Sequence, residues 1–183
     1  MKTAIDLVAL LAGVVFAFVI QNAMPPMADL HGSHIMIVPM VFCYAAMVLP
    51  FYGMIIAALY TGFLSDLMYL HVVAGKVEIP IGCSIIFFVI FGCLANGFQP
   101  AMEKRNAWPF VLLSGVVTSA YLFMQFGMIT VARGGIFWEE TVAWRILAPG
   151  VMVVLFAPLF YWTVSHIDRL IPDGSRKLRS INR

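Results

Sequence analysis

Charge is what this sequence has least of. Its 183 residues include 11 Lys and Arg and 9 Asp and Glu, together 11% of the chain, against 62% hydrophobic residues, and the mean hydropathy is +0.96. A soluble domain carries roughly a quarter charged residues, so a water-facing exterior is excluded and most of the surface has to face lipid. Reactive patterns are missing too. The chain has no nucleophile motif, no phosphate-binding glycine loop and no HExxH pair, so catalysis has no visible seat and no enzyme activity is expected. Cysteine is sparse: Cys43, Cys83 and Cys93 fall inside apolar runs and read as small packing residues rather than disulfide partners or metal ligands. His31 and His34, with Asp29 as the neighbouring acid, are too few donors to fill a zinc sphere, which leaves a polar loop as their role. No cofactor, metal or nucleic-acid partner is expected.

What is present is a series of apolar runs. The length has room for one bundle, because six helices of about 20 residues take up roughly 120 residues. The runs predict an all-α, polytopic membrane bundle of about six transmembrane helices over residues 4–20, 35–49, 51–70, 79–97, 108–132 and 144–165, within a single domain 1–171, followed by a basic tail at 172–183. The second run is interrupted by Pro39 and stopped by Pro50, so runs two and three form a tight hairpin. The sixth contains Pro149 and Pro158, where kinks are expected. A cut after Ala23 would leave Gln21 where a signal peptidase favours a small residue, so the first helix is expected to be retained.

Cations set the orientation, since positively charged loops stay in the cytoplasm. Lys2, Lys104, Arg105, Arg169, Arg176, Lys177, Arg179 and Arg183 fall on one side, and Lys76, Arg133 and Arg145 on the other. Both termini are therefore expected in the cytoplasm. Trp108 and Trp162 mark the inner interface and Trp138 and Trp144 the outer one. The tail residues Arg176, Lys177, Arg179 and Arg183 suit an anionic inner leaflet, a cytoplasmic partner or simply an orientation signal. Glu139 and Glu140 read as a solvated pair near Arg145.

Three sets of residues stand out inside the runs. Asp66 lies near the end of the third, where a charge costs about 2.5–3.5 kcal/mol if held at the bilayer centre. It either reaches the interface or fixes a contact. Gly62 and Ala58, one and two turns before it, would let another helix approach closely, with the carboxylate capped by a donor such as Asn96. Gln99 reads as a boundary residue. Ala9, Gly13 and Ala17 form a small-residue stripe on the first helix, suited to internal packing or to docking on another subunit.

The hairpin of helices two and three, the stretch Gly62-Phe63-Leu64-Ser65-Asp66-Leu67, the following Pro80-Ile81-Gly82, and the basic segment Glu103-Lys104-Arg105 resemble the MreD family of bacterial rod shape-determining membrane proteins, mainly over residues 45–105. The resemblance implies a multi-pass protein of the bacterial cytoplasmic membrane, similar in fold to the substrate-binding subunits of energy-coupling-factor transporters. It also implies a non-catalytic scaffold of the cell-wall elongation machinery, with an MreC-like single-span protein, the MreB filament, RodA and a penicillin-binding transpeptidase as partners. In that role Gly62 and Gly82 would allow close helix approach and Asp66 would fix a hydrogen bond. The alternative is a substrate-binding subunit of a vitamin-type transporter, in which Asp66, Tyr69, Gln125 and Arg133 would converge on a pocket and the Ala9, Gly13, Ala17 stripe would meet the energising subunit. An enzyme acting on lipids ranks third, because no acidic or histidine cluster falls at helical spacing.

Overall fold

The computed structural model describes residues 2–25, 34–69, 72–73, 76–77, 82–100, 107–135 and 140–170. Within them the chain is helical, with six helices: α1 Lys2–Ala23, α2 Val38–Val48, α3 Phe51–Met68, α4 Cys83–Gly97, α5 Trp108–Arg133 and α6 Glu140–Leu170. Three are long and apolar enough to cross a membrane, over Phe51–Met68, Trp108–Ala132 and Thr141–His166, while Leu7–Ala23, Val38–Val48 and Cys83–Gly97 are shorter apolar helices. A small antiparallel hairpin that the hydropathy pattern does not announce pairs β1 (Val72–Val73) with β2 (Lys76–Val77) between α3 and α4. The polar features at Asp29, His31, Glu103, Lys104, Arg105, Trp138, Glu139, Arg176, Lys177, Arg179 and Arg183, and the Pro80-Ile81 step, lie outside the described residues, as do the side chains of Lys2, Lys76, Arg133, Glu140 and Arg169.

Helix boundaries depart from the sequence expectation where single residues intervene. Pro39 does not interrupt α2 but sits in its first turn, where a missing N–H removes no helical hydrogen bond, so α2 begins at Val38 rather than 35. At the other end Pro50 bars helical geometry at the residue before it. Leu49 is accordingly extended, with ψ 149°, and Pro50 then opens α3. The two-residue break gives the expected hairpin. Helix α4 begins at Cys83 rather than 79, because Gly82 adopts φ +109°, outside helical space. Helix α6 is continuous for 31 residues with Pro149 and Pro158 inside it, past the polar residues that bound its hydropathy window.

The shortest of the six helices is the central one. Every residue of α2 from Val38 to Met47 is buried, touching α1, α3, α4 and α5, as befits a helix apolar on all sides. Around it the core is aromatic. Phe42 meets Phe88 edge-on at 4.8 Å, Phe88 lies 5.3 Å from Tyr121, and Tyr44 meets Phe110 at 6.0 Å and Phe160 at 5.8 Å. Phe110 also lies 6.0 Å from Tyr161. The start of α5 therefore lies beside the later turns of α6, so Trp108 and Trp162 share one end of the bundle.

Close helix approach is concentrated at two seams. A Cβ on Gly62 would stand 2.5 Å from Ile85 Cα and 2.7 Å from Ile85 N, so α3 and α4 touch backbone to backbone as the Gly62 reading anticipates. Ala58, a turn away, is fully buried. The second seam pairs α5 with α6. A Cβ on Gly115 would come 3.1 Å from the Gly150 carbonyl oxygen, and one on Gly150 would come 3.0 Å from that of Gly115. Helix α1 behaves otherwise. Ala17 is buried against Val14, Phe18, Val38 and Val41, but Ala9 is exposed and a Cβ on Gly13 would meet nothing within 4 Å. The stripe is thus no internal seam beyond Ala17. Of the cysteines, Cys43 is buried, Cys83 half-buried and Cys93 exposed, so packing accounts for Cys43 but not for Cys93.

These contacts separate two glycines that look alike in sequence. Gly62→Ala forces α4 away from α3 and should lower stability by about 1–3 kcal/mol. Gly13→Ala fills open space in a helix and should leave stability unchanged or raise it by about 0.5–1 kcal/mol. Thermal unfolding of both variants in the same detergent checks this, and an equal effect at the two positions would refute the assignment of the seam.

Candidate functional site

Helices α2 and α4 start inside the bundle without caps of their own. The first N–H groups of any helix lack intrahelical acceptors, and in apolar surroundings an unmet N–H costs on the order of 2–7 kcal/mol. Both starts are closed by side chains from the preceding helix. Gln21, at the end of α1 and 3% exposed, accepts at Oε1 from the backbone N–H of Ile37 (2.8 Å) and Val38 (3.1 Å). Its Nε2 donates to the Tyr69 hydroxyl beyond α3 and approaches Met36 Sδ at 3.2 Å.

Asp66 does the same for α4. It is 5% exposed. Its Oδ2 accepts from Gly82 N at 2.6 Å and its Oδ1 from Ser84 N at 3.3 Å. A carboxylate here also faces the positive end of the α4 dipole. The Gly82 N–H reaches the carboxylate because the residue sits at positive φ, with open space around its missing Cβ. Gly82 therefore acts through backbone conformation and not through the close helix approach expected of it. Beyond it, the Ser84 hydroxyl lies 3.2 Å from the Tyr121 hydroxyl of α5, and Ser65 Oγ, buried beside Asp66 in sequence, donates back to Thr61 O at 2.8 Å.

The opposite end holds a second clamp. Pro50 cannot continue the α2 ladder, leaving carbonyls free in its last turn. Asn96 Nδ2 donates to Ala46 O at 2.8 Å and Leu49 O at 3.0 Å, and Gln99 Nε2 donates to Leu49 O at 2.6 Å. This corrects two expectations. Asn96 does not cap Asp66, because α3 and α4 are antiparallel and place the two residues at opposite ends of the contact. Gln99 is a carbonyl clamp and not merely a boundary marker.

The residues weighed for a pocket divide accordingly. Asp66 and Tyr69 belong to the Asp66-end network, Gln125 lies one turn beyond Tyr121 on α5 and is half-buried, and the Arg133 side chain is outside the described residues. A cavity of about 300 Å³ opens elsewhere, lined by Met24, Met36, Met40, Val153, Leu159 and Thr163 among others. Among the described residues no three His, Cys, Asp or Glu side chains gather as metal ligands would. Both Asp66 oxygens are engaged by backbone, so the chemistry this arrangement performs is the satisfaction of helix ends. Gln21 was missed in sequence because a Gln-Asn pair after an apolar run looks like any membrane boundary. Its only signal was the proline-led helix that follows, which has no capping residue.

Removing a clamp should expose its cost. Asp66→Ala and Gln21→Ala each strand two backbone N–H groups and should destabilise by at least about 1–3 kcal/mol for each group, whereas Asp66→Asn, which keeps one acceptor oxygen, should lose less. Unfolding in detergent measures the order, and an unchanged Asp66→Ala would sink the clamp. Thr61, fully buried, has the one hydroxyl among the described buried side-chain polar atoms without a hydrogen-bond partner. Thr61→Val should therefore stabilise, by up to about 1–2 kcal/mol, and a loss of stability would show that the hydroxyl is used. Comparison with known protein families, with curated proteins and with solved structures finds no match to this chain.

Proposed function

We propose that the chain is a non-catalytic membrane scaffold of the cell-wall elongation machinery, a six-span bundle of the bacterial cytoplasmic membrane with both termini in the cytoplasm. The observation that carries the scaffold reading is the state of Asp66. The buried acid of α3, the residue a transporter or a membrane enzyme would turn towards substrate, has both oxygens on backbone N–H groups of α4. Gln21, Asn96 and Gln99 are used in the same way, so the polar side chains hold helices together. The link to the rod machinery rests on the resemblance of residues 45–105 to the MreD family. The Asp66 of its Gly-x-x-x-Asp stretch reaches the Gly82 of its Pro-Ile-Gly step, so one hydrogen bond joins the two halves of that pattern.

In this role the bundle gives partners a rigid apolar exterior. An MreC-like single-span protein docks against it in the bilayer, RodA and the transpeptidase assemble beside it, and the basic tail faces anionic lipid and the MreB filament. A vitamin-type pocket would need convergent polar groups, whereas the cavity lining is apolar apart from Thr163.

Affinity isolation of the full chain from native membranes should recover a protein with one membrane helix and a large external domain. Recovery of a pair of ATPases instead would overturn the scaffold reading in favour of transport. A reporter fused after Arg183 should be active in the cytoplasm, and activity outside would overturn the orientation.

A further inference from the structure

Helix α6 is joined to the bundle unevenly. Against α5 it packs with backbone close to backbone at Gly115 and Gly150. Towards α2 the contact is made by rings, with Tyr44 and Phe160 5.8 Å apart, and a crevice of about 300 Å³ is left between α6 and the end of the bundle where α1 stops and α2 starts. Its floor is buried, with Met36 7%, Met40 5% and Val153 1% exposed. Its rim is open, with Met24, Phe156 and Leu159 all exposed on the lipid-facing side. No lining residue is charged. The hydroxyl of Thr163 donates to Leu159 O of its own helix at 2.8 Å, so what Thr163 offers the crevice is its methyl group.

We infer that this crevice seats one acyl chain of a bilayer phospholipid. Size chooses between the apolar occupants a membrane supplies. One turn of a helix about 10 Å across with a 5.4 Å pitch fills roughly 400 Å³, so a partner's transmembrane helix does not enter. The space is on the order of ten times the roughly 30 Å³ that one water occupies in the liquid, slender enough for a length of acyl chain. Water is not a competing occupant, because it needs two to four polar partners and Thr163 is the one polar side chain of the lining. Left empty, the walls would lose dispersion contacts on one side. Three methionines line the site, and their unbranched thioethers adapt to a chain without fixed shape. Met36 also lies against the Gln21 amide, so the seated chain adjoins the clamp on α2. The inference rests on the membrane reading but not on which machinery the protein serves.

The full chain reconstituted in vesicles of phosphatidylethanolamine and phosphatidylglycerol, with a fraction of lipid carrying a photoreactive diazirine in its acyl chain, tests this by peptide mass spectrometry. Adducts are expected at the floor residues Met36, Met40 or Val153, at a level comparable to those at the exposed Ile86 and Leu155. In Val153→Phe, which narrows the crevice, floor adducts should fall several-fold while those at Ile86 and Leu155 persist. Label confined to Ile86, Leu155 and other exposed positions in the wild-type chain would overturn the lipid seat while leaving the membrane reading intact. Absence of label everywhere would overturn both. Photo-crosslinking from residue 40 in native membranes should yield lipid adducts, and capture of a protein segment there instead would also overturn the proposal.

Discussion

A helix that begins or ends inside an apolar bundle leaves N–H or carbonyl groups that water cannot reach, and the rest of this structure is arranged around that constraint. Placing a carboxylate such as Asp66 at membrane depth costs about 2.5–3.5 kcal/mol. Two stranded backbone N–H groups cost on the order of 2–7 kcal/mol each in apolar surroundings. The second penalty exceeds the first, so a buried acid at the start of α4 stabilises the bundle once it accepts from Gly82 and Ser84. A neutral amide suffices at α2, where Gln21 meets Ile37 and Val38. The stability of this protein thus depends on a few polar side chains that meet the main chain at helix ends.

The same constraint explains why the shortest helix of the bundle is at its centre. Helix α2 has 11 residues, about 17 Å at 1.5 Å per residue, too little to carry its own ends to both sides of a membrane some 30 Å thick. Both ends therefore need help from neighbours, and both receive it: Gln21 at the start, Asn96 and Gln99 at the finish. Being clamped at each end, α2 can be apolar all round and serve as the post against which α1, α3, α4 and α5 pack. Gly62 then brings α3 onto α4 closely enough for the Asp66 carboxylate to reach the next helix start.

Most of the fold was legible because hydropathy marks the segments that leave water: the helices fall where the apolar runs lie, and the hairpin at Pro50 follows from proline geometry. Asp66 and Gly62 stood out for sound reasons, a costly charge and a small residue one turn apart. Their partners were hidden because capping in trans joins residues with no fixed spacing: Asp66 to Gly82 across a connecting loop, Gln21 to Val38 across another. A donor amide such as Asn96 looked plausible for Asp66 on chemistry alone, and only the antiparallel pairing of α3 and α4 sends it to the far end. The α1 stripe misled in the opposite direction. Gly13 has the right size and spacing but no helix facing it, whereas the working glycine pair, Gly115 and Gly150, is split between two helices and forms no motif in either.

The hydrogen bonds at the Asp66 end run from helix to helix. Gln21 links α1 to the start of α2 and to Tyr69 after α3, Asp66 links α3 to the start of α4, and Ser84 meets Tyr121 of α5. Five helices are thereby tied by directional bonds that tolerate little displacement. Helix α6 meets α5 backbone to backbone at Gly115 and Gly150 and meets α2 through the ring contact of Phe160 with Tyr44. Its other flank borders the crevice. What fills that crevice therefore touches α6 on one side and, through Met36, the Gln21 clamp on the other.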